Sequence, residues 1–262
     1  MITLQHMINK AFFIFMVTGG LMLLSLPSLG QKLKVMSYNI HHGADAAEQM
    51  TLEEMGAFIK KSGADLVGLQ EVDSLCRRSG SVDQMKVLAE ITGMHYAFYR
   101  HFAYDGGAYG LGILSKYPIE EQRNERITSI QGGKKASLAF LAVKLRVRKK
   151  ELVFSTVHMA LDQETRLIQA GEVMRYLAGN DRVILTGDFN ALPDTEEIQR
   201  ISKQLPFINP DRAYTFPTGE PAKKIDYIFV SPALLGKKNS SGVHPDIPYS
   251  DHLPLEGNLR LF

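Results

Sequence analysis

The sequence has 262 residues, 45% of them hydrophobic, with 30 Lys and Arg against 28 Asp and Glu. A balance so near neutral supplies no obvious basic field and says little about partners. Its single cysteine, Cys76, excludes an intrachain disulfide, a cysteine metal cluster and a cysteine redox motif, and reads as a small residue in or near the core.

The chain opens with an apolar run from Ala11 to Leu26 behind Lys10, closing on Ser28-x-Gly30. The run is shorter than the ~20 residues that span a bilayer, so residues 1–30 are expected to be a secretory signal peptide cleaved near Gly30. A retained N-terminal anchor is the rival reading. Residues 31–262 then form the mature chain, exported to the periplasm or the outside, with 29 basic against 28 acidic side chains and no transmembrane span. Repeats, coiled-coil heptads, low-complexity tracts and blocks of like charge are absent.

"KLKVMSYNIHHG" alternates and is rich in strand formers, which predicts a strand that delivers Asn39 to a sheet edge. Thr51 and Glu54 have the spacing of a capping box, and Leu52, Met55, Phe58 and Ile59 make an apolar stripe, predicting a helix from Thr51 to Ser62. "ADLVGLQEVD" reads as a strand ending at Gln70 and Glu71, Met85 to Thr92 as a short helix, and "MHYAFY" as a strand. "YDGGAYG" lacks the lysine and following helix of a P-loop and is read as a hairpin turn before "LGILSKYPI".

Ala136 to Arg148 and Glu151 to His158 form an expected antiparallel hairpin. Asp162 to Leu177 carries Leu167, Ala170, Val173, Met174 and Leu177 at helical spacing, and the strand "RVILTGDFN" follows. Asp194 with Glu197 is expected to cap a further short helix. The last third is rich in loops around the strand "IDYIFVS" and a closing strand. Two rounds of strands and helices with no break in composition indicate one α/β domain of packed sheets covered by helices.

Asn39, Glu71, His158, Asp188 with Asn190, Asp226, and Asp251 with His252 all lie at or beside the end of an apolar run. A single polar residue there is usually only solvated. Six endings using only carboxylate, amide and imidazole can instead meet in one pocket. Oxygen donors without thiolates suit a hard cation, Mg2+ or Mn2+, completed by water and substrate phosphate. Histidines beside carboxylates can be held protonated to bond an anionic phosphoryl group. The combination points to metal-assisted hydrolysis of a phosphoester.

The ordered set "MSYNI", "LQEVD", "GILSKYPI", "STVHMALD", "LTGDFNALP", "KKIDYIFV" and "SDHLPL" resembles the endonuclease/exonuclease/phosphatase superfamily over nearly the whole mature chain. The resemblance implies an α/β (α+β) fold of the deoxyribonuclease-I-like four-layer kind, a two-sheet β-sandwich flanked by helices on both outer faces, with the site at one edge. It also implies roles. Asn39 and Glu71 bind the metal with help from Asp251, and Asp188 orients or deprotonates the attacking water beside Asn190. Asp226 keeps His252 protonated against the phosphoryl oxygens, and His158 contacts phosphate and helps the leaving oxygen. Many relatives carry an acid two positions after the motif asparagine; here that place is His41, which could bind metal or phosphate or face solvent. Arg77 and Arg78 could clamp a phosphate or simply be solvated.

The substrate is expected to be a small or lipid-derived phosphodiester, as in secreted branches resembling sphingomyelinases, acted on by a monomer. "KKIDYIF" departs from the tryptophan-led pattern of the inositol polyphosphate 5-phosphatase branch. A secreted nuclease, for which Lys134, Lys135, Lys223 and Lys224 could supply a local basic face, is the alternative. A binding module that kept the fold without activity is a further one.

Overall fold

The structure is a computed structural model that describes residues 31–210, 212–236 and 239–261. The expected signal peptide and its cleavage site lie outside the described residues. Among those described, no helix is long and apolar enough to cross a membrane.

Six strands form one sheet: β1 (Gln31–Asn39), β2 (Leu66–Ser74), β3 (His95–Tyr104), β4 (Gly107–Ser115), β10 (Ser240–Val243) and β11 (Leu255–Leu261), in the order β10-β11-β1-β2-β4-β3. Five form the other, β5 (Ile119–Gln131), β6 (Lys134–Val147), β7 (Lys150–His158), β8 (Val183–Asp188) and β9 (Asp226–Val230), in chain order. The helices are α1 (Leu52–Ser62), α2 (Gln84–Thr92), α3 (Gln163–Leu177) and α4 (Glu196–Ser202). The parallel pairs β1–β2 and β7–β8 need crossover connections, which α1 and α3 supply.

Three apolar layers follow from strand alternation. On β1, Leu33 and Val35 face the other sheet while Met36 and Tyr38 face α1 and α2. On β8, Ile184 faces the sandwich interior while Val183 and Leu185 pack with Val173 of α3 and Ile198 of α4. The order is helix, sheet, sheet, helix, so the expected four-layer sandwich is the observed one. Both faces of the central strands are buried, which is why they read as apolar runs.

Gly68 brings the sheets together just below the strand ends. A Cβ there would lie 2.1 Å from Thr186 Oγ1 and 2.9 Å from Thr156 Oγ1. Thr156 Oγ1 in turn accepts from buried Gln70 Nε2 at 2.7 Å, so the interior turns polar where the site begins.

Local expectations failed where a distant partner competed. Thr51 does not close a capping box; its hydroxyl donates to the Tyr249 carbonyl at 2.6 Å. The N-cap of α4 is Thr195, not Asp194, and Glu197 is drawn to the Arg166 Nε at 2.6 Å. β2 does not stop at Glu71 but runs on to Ser74 through a bulge. β5 and β10 have no counterpart in the sequence reading. The former, "IEEQRNERITSIQ", is a charged edge strand whose pairing with β6 supplies the order that its few apolar residues do not.

Arg166 and Glu197 are both buried, and together they tie α3 to α4. Burial opposes the Glu197 charge, but Arg166 with the helix backbone and Gln163 holds its carboxyl below the ordinary 4.5. Glu197→Gln is therefore expected to cost about 3 kcal/mol at pH 7, because it leaves a buried guanidinium without its counter-charge. The contribution is present above pH 4.5 and is lost as the pH falls through the lowered value. Urea unfolding of both proteins from pH 7 to pH 3 should show the gap closing on the acid side.

Candidate active site

Strand polarity brings the polar endings together. The parallel register pairs His158 with Asp188, and antiparallel β9 starts beside them with Asp188 opposite Asp226. Those three residues form a row across one sheet. In the other sheet Asn39 pairs with Gln70, one residue before Glu71, and the Ser250 hydroxyl donates to the Asn39 carbonyl at 2.8 Å, fixing the segment that carries Asp251 and His252.

Glu71 reaches this edge through its bulge. Leu69 pairs with Gly112 and Val72 with Gly110, so Gln70 and Glu71 together face one residue, and Glu71 takes φ 58°. Gln70 then points into the sandwich while Glu71 lines the cleft.

Asn39 joins the two sheets. Its Nδ2 donates to Glu71 Oε1 at 3.0 Å and to Asp188 Oδ2 at 3.1 Å, and its Oδ1 accepts from the His41 N–H at 3.1 Å. Asp188 Oδ1 accepts from the Asn190 N–H at 2.9 Å, in a tight turn where Asn190 has φ 49° and its amide donates to the Met159 carbonyl at 3.0 Å.

Two imidazoles flank Asp188 Oδ2: His158 Nε2 at 3.6 Å and His252 Nε2 at 3.5 Å. Both distances leave room for a substrate oxygen to compete. His252 Nδ1 donates to Asp226 Oδ2 at 2.9 Å, and the same oxygen accepts from the Thr215 hydroxyl. Burial disfavours charge on His252, yet Asp226 and Asp188 more than offset it and lift the imidazole to about 10. Burial also raises the Asp226 carboxyl; His252 pulls it back down while Asp188 pushes it up. The pair is held as imidazolium and carboxylate.

These groups open into one cleft of about 710 Å3 lined by Glu71, His158, Asp188, Asn190, Asp251 and His252. Its other wall is apolar: Leu138, Met159, Leu161, Leu192, Phe216 and Ile225. Glu71 and Asp251 are partly exposed carboxylates on the rim, and with Asp188 they offer hard oxygen donors suited to Mg2+ with its waters. Donor atoms of Asp188, Asp226 and His252 also lie within 4.8 Å of one another, but there Asp226 and His252 already neutralise each other. Asn39 Oδ1 accepts one bond, from the His41 N–H, and keeps its second lone pair.

Asn39 and Asp226 stand just behind the cleft lining, bonded to Asp188 and His252, whereas the side chains of three other predicted residues find their partners elsewhere. Arg77 pairs with Asp105 at 3.0 Å, and Arg78 makes a two-pronged bond to buried Asp73 at 2.8 and 2.9 Å while lying over the Tyr104 ring. His41 turns its ring to Glu48. The basic face expected around Lys223 and Lys224 is reduced, because Lys224 is buried and donates to the Asn209 and Pro210 carbonyls.

Sequence reasoning missed His101, Thr215 and Ser250. The first is buried in the cleft wall; its Nδ1 accepts from the Ala139 N–H at 2.8 Å, and burial followed by His158 and Arg126 holds it neutral. Its proton therefore sits on Nε2, which has no hydrogen-bond partner. Ser250 begins "SDH" and was legible; Thr215 and His101 sit in stretches without a local signal.

The family model for the Endonuclease/Exonuclease/phosphatase family matches residues 36–252. The uncharacterized protein YbhP of Escherichia coli K12 is 26% identical over 250 residues, covering 87% of this chain and 96% of that one. An endonuclease/exonuclease/phosphatase from Beutenbergia cavernae superposes with a TM-score of 0.73 at 22% identity, covering 88% of this chain and 72% of that chain. A beta toxin variant from Staphylococcus aureus with bound magnesium ions gives 0.68 at 17% identity, covering 87% and 99%. With the family's motifs converging on one acid, amide and imidazole cleft at the edge of the sandwich, the chain belongs to the endonuclease/exonuclease/phosphatase family of phosphoester hydrolases.

Proposed function

We propose that the protein is an exported, monomeric, Mg2+-dependent hydrolase of a small or lipid-derived phosphodiester. The observation that carries this reading is the two-sided cleft. Beside the charged row stands an apolar wall on which Leu161 is 83% exposed, suited to an apolar group carried by the substrate.

Mg2+, held by Glu71 and Asp251 with Asn39 beside them, would supply a Lewis acid for the phosphoryl oxygens. The side chains divide the remaining work. Asp188, fixed by Asn190 and Asn39, accepts a proton from the attacking water as the new O–P bond forms. His252 donates through Nε2 to a phosphoryl oxygen that gains charge in the transition state, and Asp226 keeps it protonated. His158, across Asp188 from His252, contacts the phosphate and assists the leaving oxygen as its bond to phosphorus breaks.

The test is a panel with a bis-aryl phosphate, an aryl monophosphate, plasmid DNA and sphingomyelin, each with Mg2+ and with chelator. Hydrolysis of the bis-aryl phosphate or sphingomyelin that stops in chelator is expected, and Glu71→Gln should raise the Mg2+ needed for half-maximal rate by about tenfold or more. Activity unaffected by chelator would sink the metal mechanism. DNA cleavage in preference to the diesters would transfer the assignment to a nuclease, and no turnover at all would leave a binding module. Fractionation of expressing cells checks export.

A further inference from the structure

His41, His42 and Glu48 form a second cluster of donor atoms, all within 4.8 Å of one another and outside the cleft lining. His41 Nε2 lies 3.5 Å from Glu48 Oε1 and His42 Nε2 lies 3.0 Å from Glu48 Oε2, with the two rings 4.4 Å apart. A tetrahedral ion bound at ~2.0–2.1 Å sets its donors about 3.3 Å apart, and the two histidine–carboxylate separations are already close to that.

The backbone is bent to make this possible. Neighbouring side chains ordinarily diverge along a strand or helix, yet these two imidazoles converge on one carboxylate. They do so because His41 and His42 have φ 42° and 46°, and Glu48 has φ 61°. Each is a left-handed conformation that is costly for a residue with a Cβ, and such outliers gather at ligand sites.

The tautomer points the same way. The Asp45 carbonyl can only accept, so the His41 Nδ1–H donates to it at 3.3 Å. Nε2, the nitrogen left facing the Glu48 carboxylate, lies 3.5 Å from Oε1. A carbonyl that orients the far nitrogen of an imidazole is the usual support of a metal-binding histidine. Asp45 is itself anchored, its Oδ1 accepting from the Ala47 and Gln49 N–H groups. His42 is buried, while Glu48 is open to solvent and leaves an entry path and a place for water.

We propose that His41, His42 and Glu48 bind a divalent transition ion of the Zn2+ class, at a site separate from the hydrolytic cleft. Two imidazole nitrogens select such an ion over Mg2+, which prefers oxygen. Bound there, it would tie the loop of residues 41–49 to the strand end, because the His41 N–H donates to Asn39 Oδ1.

Untagged protein, stripped with chelator and then dialysed, would be titrated with Co2+ in excess Mg2+ and followed by visible absorption. One equivalent of Co2+ with the intense bands of a low-coordinate site is expected, displaced by Zn2+. Glu48→Gln and His42→Gln should each weaken uptake about tenfold or more, while Glu71→Gln leaves it unchanged. Glu48 is largely exposed, so its variant keeps the fold, which circular dichroism confirms. No Co2+ uptake in excess Mg2+ would overturn the proposal, as would uptake that survives Glu48→Gln or is lost with Glu71→Gln.

Discussion

Replacing Asp188 with asparagine is expected to lower kcat/KM for phosphoester hydrolysis by about three to four orders of magnitude while leaving the fold intact. The residue is 1% exposed, and hydrogen-bond donors and imidazoles surround its carboxylate. The Asn190 N–H and the Asn39 amide donate to it, and His158 and His252 flank one oxygen. Asparagine keeps the volume but removes the oxygen that takes a proton from water, and its NH2 would face the donating Asn39 amide. A lowered kcat with little change in KM is the signature of an interaction made in the transition state. Steady-state kinetics with Mg2+, beside a thermal melt, separates that result from simple unfolding. Wild-type turnover in Asp188→Asn would move the base elsewhere.

Asp226→Asn should act on stability as well as on rate. Asp226 is 1% exposed and bonds His252 at 2.9 Å, so the substitution removes the bonded counter-charge of a buried imidazolium and leaves it only the longer-range fields of Asp188 and Asp251. Removing one partner of such a pair costs about 3–5 kcal/mol. Loss of the proton from His252 would in turn remove a donor worth about two to three orders of magnitude in rate.

The pair also predicts an alkaline limb. His252 is lifted in the folded state from 6.5 to about 10, so the folded protein binds the extra proton between those values. Its contribution to stability is complete below pH 6.5, declines above it and is gone once the pH passes about 10. Melting curves of wild type and Asp226→Asn in chelator, from pH 6 to 10.5, should converge at the alkaline end. A gap that is constant with pH would mean that the pair is not charged.

Much of the site could be read in the sequence because a strand end is a local event. "TGDFN" and "STVH" show a change from apolar to polar residues that no tertiary contact is needed to see, and the helical spacing from Asp162 to Leu177 is likewise local. Other features depended on partners far along the chain. The Thr51 hydroxyl left its helix for a carbonyl at Tyr249, and Glu197 left its cap for Arg166. Arg78 looked free to meet a phosphate until Asp73, five residues back, took it on two prongs.

The sequence by itself determined the alternation of strands and helices, the two-faced apolar strands that require layers on both sides, and the residue types at the strand ends. Those follow from periodicity and from the chemistry of each side chain. Only the tertiary structure decided that the endings from two sheets meet in one cleft, with Asn39 reaching Asp188 across 149 positions of sequence. It also decided that a bulge turns Glu71 toward them, that Gly68 lets the sheets approach closely beneath them, and that His101 stands neutral in the wall. The reason is physical: register, bulging and desolvation are set by the groups a residue meets on other strands, and those groups are not its neighbours in the chain.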